Sequence, residues 1–509
     1  MSEFYTNCRV YGDSILIRYV DSLTGERKKF RDSNYRPTLF LPSKNNKKTK
    51  YTTIYGNYVE PIQYGTIKDC RNAVKKYEDV ENFNIYGNTM FQYTYISDKY
   101  KGEVEFDASK LSICMIDLEM ECEEGFPDPK NADQIINAIT IKDFNHGIFY
   151  TFGLAEFNIN SLKKYDWWDD SYIIEYDESS NEKQLLTQFL SLWEELSPDI
   201  ITGWNIRLFD MPYLYNRIER LFNKKEAKCL SPWNIVQEKQ VHVMNQERIV
   251  YDFYGLSVLD YMDLYKKFTT EPREKYSLDA IGEVELGEKK IDYSEFDNYQ
   301  QFYKEDYQKF MEYNVKDVEI VSRLEDNLNL LELIILMAYQ AKINFEDVFS
   351  PVRLWDMIIF NYLRERNIVI PQITQHLKAR AYAGAYVKEP ITGFHDWVVS
   401  FDLTSLYPSL IRNHNIGPET LLQEEIIDKI SVDDCLIKKT DLSKLKKKNI
   451  TVCPNGVCFD LANDSFISVL IGRFFDERVK YKMQMLENKR ELEKINLEIK
   501  KRGLNDAGV

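Results

Sequence analysis

Ile113-Cys114-Met115-Ile116-Asp117-Leu118-Glu119-Met120-Glu121 is the stretch whose reading decides the fold. Apolar residues run straight into two carboxylates, which marks a buried strand whose far end carries charge that a core does not tolerate unpaired. Residues two apart in a strand point to the same side, so Asp117 and Glu119 present their oxygens to one spot while Leu118 faces the other way. A hard divalent cation, Mg²⁺ or Mn²⁺, neutralises such a pair. Two such ions about 4 Å apart activate a water and stabilise the leaving oxygen of a phosphodiester. The triplet by itself is more often an edge strand with solvated acids.

The chain has 509 residues, enough for three or four domains by size alone, and is 44% hydrophobic and 29% charged. Its eight cysteines are scattered, none in a Cys-x-x-Cys pair, and there are five histidines. Neither a disulfide framework nor a zinc site is expected, and the compartment reads as reducing and cytoplasmic. The amino terminus lacks the apolar core of a signal peptide, and the apolar run Leu333 to Tyr339 is too short for a bilayer, so no membrane partner is expected. Net charge is −15. That sign does not exclude a nucleic-acid partner, because metal-dependent nucleases need carboxylates and only the groove tracking the phosphates must be basic.

Outward from the opening stretch, residues 1–108 alternate in short segments such as Ser14 to Val20, closed by a turn from Asp21 to Glu26, and read as a β-rich amino-terminal domain. The run from Lys44 to Lys50 reads as a solvated basic loop. Residues 109–330 alternate strands with helices, the pattern of an α/β sheet covered by helices. Strands are expected near Ala138 to Ile141 and Gly147 to Thr151, with a helix near Glu182 to Leu196 ahead of Pro198 to Asn205, a segment that leads into a loop and a helix. Asp210 stands at the start of a further helix, where capping alone would favour a carboxylate. Tyr313 and Asp317 lie four apart within a helix expected from about Tyr303 to Leu336, so a phenol and a carboxylate share a face; a buried Tyr–Asp hydrogen bond is the structural alternative.

In order, Asp117-Leu118-Glu119, Asn205-x-x-x-Phe209-Asp210 and Tyr313-x-x-x-Asp317 resemble the three-part signature of the DEDDy 3′→5′ exonucleases found in family B DNA polymerases. The resemblance implies a ribonuclease H-like domain in which Asp117, Glu119, Asp210 and Asp317 hold two Mg²⁺ or Mn²⁺ ions and Tyr313 orients the attacking water. Asn205 and Phe209 would lie beside the terminal nucleotide of a single-stranded 3′ end.

After a helical return to the amino-terminal domain (331–372), Tyr382-Ala383-Gly384-Ala385 resembles the linker of that family, with Tyr382 and Gly384 against template DNA. Val398-Val399-Ser400-Phe401-Asp402-Leu403-Thr404-Ser405-Leu406-Tyr407-Pro408-Ser409 is similar almost letter for letter to its polymerase motif A. The resemblance puts Asp402 at the end of an apolar strand as a polymerase metal ligand and the Leu403-Thr404-Ser405-Leu406 backbone around a dNTP. Tyr407 would stack under the incoming sugar. A partial palm (373–464) and the first arm of helical fingers (465–509) complete the multidomain α/β and α+β expectation. The helix from Phe474 to Arg502 would carry Arg478 and Lys482 on one face toward the triphosphate; as bare surface charge they are merely solvated.

Similarity extends along the chain and is strong to replicative polymerases of T-even-type tailed phages, which also bind their own mRNA. Complete members carry a Lys-x-x-x-Asn-Ser-x-Tyr-Gly and a Tyr-Gly-Asp-Thr-Asp string, and neither occurs here. The expectation is thus a complete proofreading exonuclease joined to half of a polymerase site, acting on primer–template DNA with a second polypeptide that supplies the remaining palm, fingers and thumb. A polymerase-derived nucleic-acid-binding or translational-repressor protein is the alternative.

Overall fold

A computed structural model describes residues 3–77, 80, 83–122, 125, 127–243, 246–372, 387–422, 437, 443, 447–453 and 457–502. They fall into two compact units, one built from 1–39, 62–83 and 88–361, the other from 40–61, 84–87 and 362–509. Among the described residues no helix is long and apolar enough to cross a membrane.

In the first unit, Glu3–Tyr11, Ser14–Asp21 and Arg27–Asp32 form a three-stranded antiparallel sheet, and the turn expected after Asp21 joins its last two strands. The mixed six-stranded sheet of the exonuclease-like region runs, edge to edge, Ile173–Glu178, Ile148–Gly153, Ile136–Asp143, Ile113–Met120, Ile200–Gly203 and Ser257–Asp260. Ile113–Met120 lies inside this sheet, antiparallel to Ile136–Asp143 and parallel to Ile200–Gly203. Its apolar residues Cys114, Ile116, Leu118 and Met120 enter one core with Leu186, Phe189 and Trp193 of the helix Glu182–Leu196. The sheet register thereby commits Asp117 and Glu119 to the opposite face.

That face is covered by the helix Tyr307–Leu328. The single helix expected from Tyr303 to Leu336 is instead three: Tyr299–Glu305, Tyr307–Leu328 and Leu330–Ala341. Two local signals cut it. The Asp306 side chain caps the second helix on the Lys309 N–H at 2.9 Å, and Asn329 adopts a left-handed φ of 52°. The buried Glu325 then collects the Leu331 N–H and the Tyr261 hydroxyl, each at 3.0 Å, fixing the bend. Beyond it the chain does return to the first sheet: the Asn344 amide pairs with both the N–H and C=O of Cys8, at 2.8 and 3.0 Å, in the manner of a strand neighbour.

In the second unit, Ile368–Val369 pairs in parallel with Thr52–Thr53. The helix Leu406–His414 packs on the base of a 37-residue helix, Phe466–Arg502, which starts earlier than the Phe474 expected. The Ser468 hydroxyl donates to the Ile411 carbonyl at 3.2 Å across that contact. The strand expected at 398–401 is absent: no described strand pairs with these residues, and Val398, Val399 and Phe401 are 78%, 71% and 90% exposed. An apolar strand persists only where neighbours satisfy its backbone and cover its side chains, and these residues have neither.

Candidate metal centre

Sheet and helix bring three carboxylates together. One oxygen each of Asp117, Glu119 and Asp317 lies within 4.8 Å of the others. Asp317 projects from the helix Tyr307–Leu328 and is 2% exposed, whereas the two strand acids are half-buried. Asn314 and Tyr313, three and four residues before Asp317, share its face as helical spacing requires. The Asn314 amide donates to Asp117 Oδ2 at 2.8 Å, joining helix to strand.

Asp210 is the buried first residue of the helix Asp210–Leu221 and sits against Asp117, taking the Leu118 N–H. It neighbours the trio without being part of it. Its approach depends on Gly203, where a Cβ would meet the Ile116 carbonyl oxygen at 2.4 Å; no other residue lets Ile200–Gly203 run this close. From there the chain turns through Asn205 at φ 64°, and the buried Asp260 holds the turn by accepting the N–H groups of Asn205 and Arg207, both at 3.0 Å. Asn205 and Phe209 are half-buried on this loop, with the Phe209 ring stacked on Tyr213 at 6.1 Å.

Lys290 inserts a cation into the cluster. Its Nζ donates to the Tyr313 hydroxyl at 2.9 Å and to Asp317 Oδ2. Tyr299 donates its hydroxyl to Glu119 Oε2. Neither residue had a signal in the sequence, since each comes from the segment between two recognisable motifs. Asn314 and Asp260 likewise carried no expected role.

The charges are not balanced. Burial, then the Glu119 and Asp317 charges, pushes the Asp117 carboxyl well above its ordinary range, against Lys290 and the Asn314 hydrogen bond. Burial, then Asp317, raises Glu119 to about 8, with Lys290 and Tyr299 opposing. Burial also raises Asp317, held back by Lys290, and raises Asp210 strongly with the Asp117 charge added. One lysine therefore leaves several carboxylates that favour a proton or a further cation. Asp317 Oδ1 is moreover buried without a hydrogen-bond partner, an acceptor that a hard cation would satisfy. The donor set is all oxygen, which suits Mg²⁺ or Mn²⁺.

The other expected residues lie in the second unit. Asp402, Leu403, Thr404, Leu406 and Tyr407 are exposed, Ser405 is half-buried, and Arg478 Nη1 approaches the Ser405 hydroxyl at 3.4 Å, with Lys482 exposed one turn further along the long helix. Tyr382 and Gly384 lie outside the described residues.

Two family models match the chain. Residues 55–281 match the family model "DNA polymerase family B, exonuclease domain", and residues 338–504 match "DNA polymerase family B". Asp117, Glu119 and Asp210 fall in the first range and Asp402 to Tyr407, Arg478 and Lys482 in the second, with Tyr313 and Asp317 between the two. The DNA-directed DNA polymerase of Escherichia phage RB69 is 35% identical over all of this chain and 56% of its own length. That of Enterobacteria phage T4 is 33% identical over 97% of this chain and 55% of its own length. DNA polymerase 1 of Sulfolobus acidocaldarius is 28% identical over 66% of this chain and 38% of its own. The chain spans a little over half the length of the two phage relatives. Matched along its whole length by such proteins, and by the models of both their nuclease and their polymerase regions, the chain belongs to the family B DNA polymerases.

Proposed function

We propose that this chain carries the 3′→5′ proofreading exonuclease of a phage DNA polymerase acting in the host cytoplasm, removing nucleotides from single-stranded 3′ ends with two Mg²⁺ or Mn²⁺ ions. The observation that carries the reading is the convergence of Asp117, Glu119 and Asp317 within 4.8 Å, with Asp210 against Asp117. These four acids would hold the ions, which supply Lewis-acid stabilisation of the charge that builds on the phosphodiester oxygens.

The protein's own groups define the rest. Lys290 occupies one lone pair of the Tyr313 oxygen, whose hydroxyl reaches Asp317, so in this reading the phenol would orient a water or a phosphate oxygen beside that carboxylate. Burial and the Asp317 charge push that phenol far above its ordinary value, so Tyr313 stays protonated and positions the water without deprotonating it. Asn205 and Phe209, on the turn that Asp260 holds, would meet the terminal nucleotide.

The 402–407 and 478–482 residues are proposed to bind dNTP opposite primer–template DNA. No observation favours the alternative of a repressor without catalysis.

The test is degradation of a 5′-labelled single strand by the purified chain. Stepwise shortening from the 3′ end that requires Mg²⁺ or Mn²⁺ is expected, lost in Asp117→Ala/Glu119→Ala and slowed but retained in Tyr313→Phe. Undiminished degradation by the double variant would sink the assignment.

A further inference from the structure

The centre holds a second phenol, and its surroundings differ from those of Tyr313. Tyr299 is the first residue of the helix Tyr299–Glu305, whose Asn298 side chain caps the Gln301 N–H at 2.9 Å. Its ring is enclosed by Tyr293 at 5.8 Å, Phe310 at 5.9 Å and Phe302 at 6.0 Å between centroids. Tyr293, which also meets Tyr313 at 5.6 Å, is stacked on Phe302 at 5.0 Å. A ring clamped on several sides leaves its hydroxyl one place to go, and that place is Glu119 Oε2.

The partners of the two phenols divide the centre. Tyr313 is engaged by Lys290 beside Asp317, where the water would be oriented. Tyr299 instead donates to Glu119, on the strand side of the cluster. A carboxylate that is to bind a cation must be held in one rotamer, and a donor fixed on one of its oxygens does that while leaving the other oxygen to the ion.

Resting on the exonuclease reading of this centre, we propose that Tyr299 is a positioning residue that holds Glu119 in one orientation as a ligand and thereby sets the affinity of the centre for its metal. Asp117 is oriented by Asn314 and Asp317 by Lys290, whereas Glu119 is held by Tyr299. The segment 291–305 thus reaches Glu119 through one hydroxyl.

The experiment is a Mn²⁺ titration of the chelator-treated full chain without DNA, read by the electron paramagnetic resonance signal of free Mn²⁺. Wild type, Tyr299→Phe, Glu119→Gln and the double variant are compared. Phe keeps the clamped ring and removes only the hydroxyl. The expected result is a loss of Mn²⁺ affinity of roughly ten- to hundredfold in Tyr299→Phe, the size typical of removing a group that orients a ligand. The Mn²⁺ concentration that half-saturates single-strand degradation should rise by the same factor, while the rate at saturating Mn²⁺ falls far less. In the Glu119→Gln background the second substitution should add little, because the hydroxyl acts through that carboxylate. Unchanged or tighter Mn²⁺ binding in Tyr299→Phe overturns the proposal. So does an equal further loss in the Glu119→Gln background, which would mean that Tyr299 acts through the fold. No Mn²⁺ binding by the wild-type chain would instead remove the reading of the centre itself, and this proposal with it.

Discussion

Asn314 holds Asp117 by two atoms, its amide nitrogen lying 2.8 Å from Oδ2 and 3.3 Å from the backbone carbonyl oxygen. One side chain thus fixes both the strand and the carboxylate that the strand presents. Asn314→Ala should leave the helix intact and let Asp117 rotate. Removing a hydrogen bond to a charged group costs roughly 1.5–3 kcal/mol, so single-strand degradation should slow by about ten- to hundredfold. Asn314→Asp should be worse, placing a fourth charge among three. Rates equal to wild type in both variants would show that the contact does not matter to the reaction.

Asp117→Ala/Glu119→Ala should abolish degradation and yet stabilise the metal-free fold. Burial and mutual repulsion hold both carboxyls above their ordinary range, so part of the folding free energy opposes them. Calorimetry in chelator should show the transition of the first unit at a higher temperature in the variant. Mg²⁺ at tenfold its dissociation constant should raise the wild-type transition by about 1.4 kcal/mol equivalent and leave the variant unmoved. A variant less stable than wild type in chelator would contradict the charge argument.

The strand Ile113–Met120 was legible because two periodicities coincide there, an apolar run for the core and an i, i+2 pair of acids for the face. The Glu182–Leu196 helix lies where it was expected, and Asn181 caps its start on the Gln184 N–H. The break at Asn329 was not legible, since a left-handed asparagine inside a continuous apolar pattern leaves no periodic trace. The resemblance made residues 398–401 an apolar strand leading to Asp402, but a matching string does not supply the neighbours a strand needs, and residues 398–401 stay exposed. In the site, the acids carried a spacing signal. Lys290 and Tyr299 carried none, because their contacts to Asp317 and Glu119 arise from tertiary packing of a segment with no motif of its own.

Asp260 makes the turn at Asn205 sensitive to pH. Burial, then the neighbouring Asp263 charge, raises its carboxyl from 3.8 to about 6, against the N–H groups of Arg207 and Asn205. A carboxyl raised on folding binds its proton more tightly in the folded state, so stability falls as pH climbs from about 4 to about 6 and is level on either side. The difference between wild type and Asp260→Asn should therefore shrink across that window by up to about 3 kcal/mol, at about 1.4 kcal/mol per pH unit. Chemical denaturation at pH 4, 5, 6 and 7 measures it. A pH-independent difference would show that Asp260 does not titrate there.

Lys290 gives the opposite sign from the strand acids. Burial lowers its affinity for a proton, but Asp317, Tyr313 and Asp117 more than offset this and hold the ammonium charged. It is the cation nearest the cluster, bound to a carboxylate that is 2% exposed. Lys290→Met keeps most of the stem and removes the charge, leaving Asp317 without its ion partner. Breaking a buried pair from one side costs on the order of 3 kcal/mol, so the metal-free variant should unfold earlier than wild type, where Asp117→Ala/Glu119→Ala unfolds later. Because a divalent cation can take over the neutralising role, Mg²⁺ should stabilise Lys290→Met by more than it stabilises wild type. The Tyr313 hydroxyl loses its donor at the same time, and its proton is no longer steered toward the cluster. Degradation at saturating Mg²⁺ should accordingly fall by more than in Tyr313→Phe, since the lysine serves both Tyr313 and Asp317. If Lys290→Met proves as stable as wild type in chelator, or degrades single strands faster than Tyr313→Phe, the lysine is a bystander whose contacts neither balance the acids nor orient the phenol.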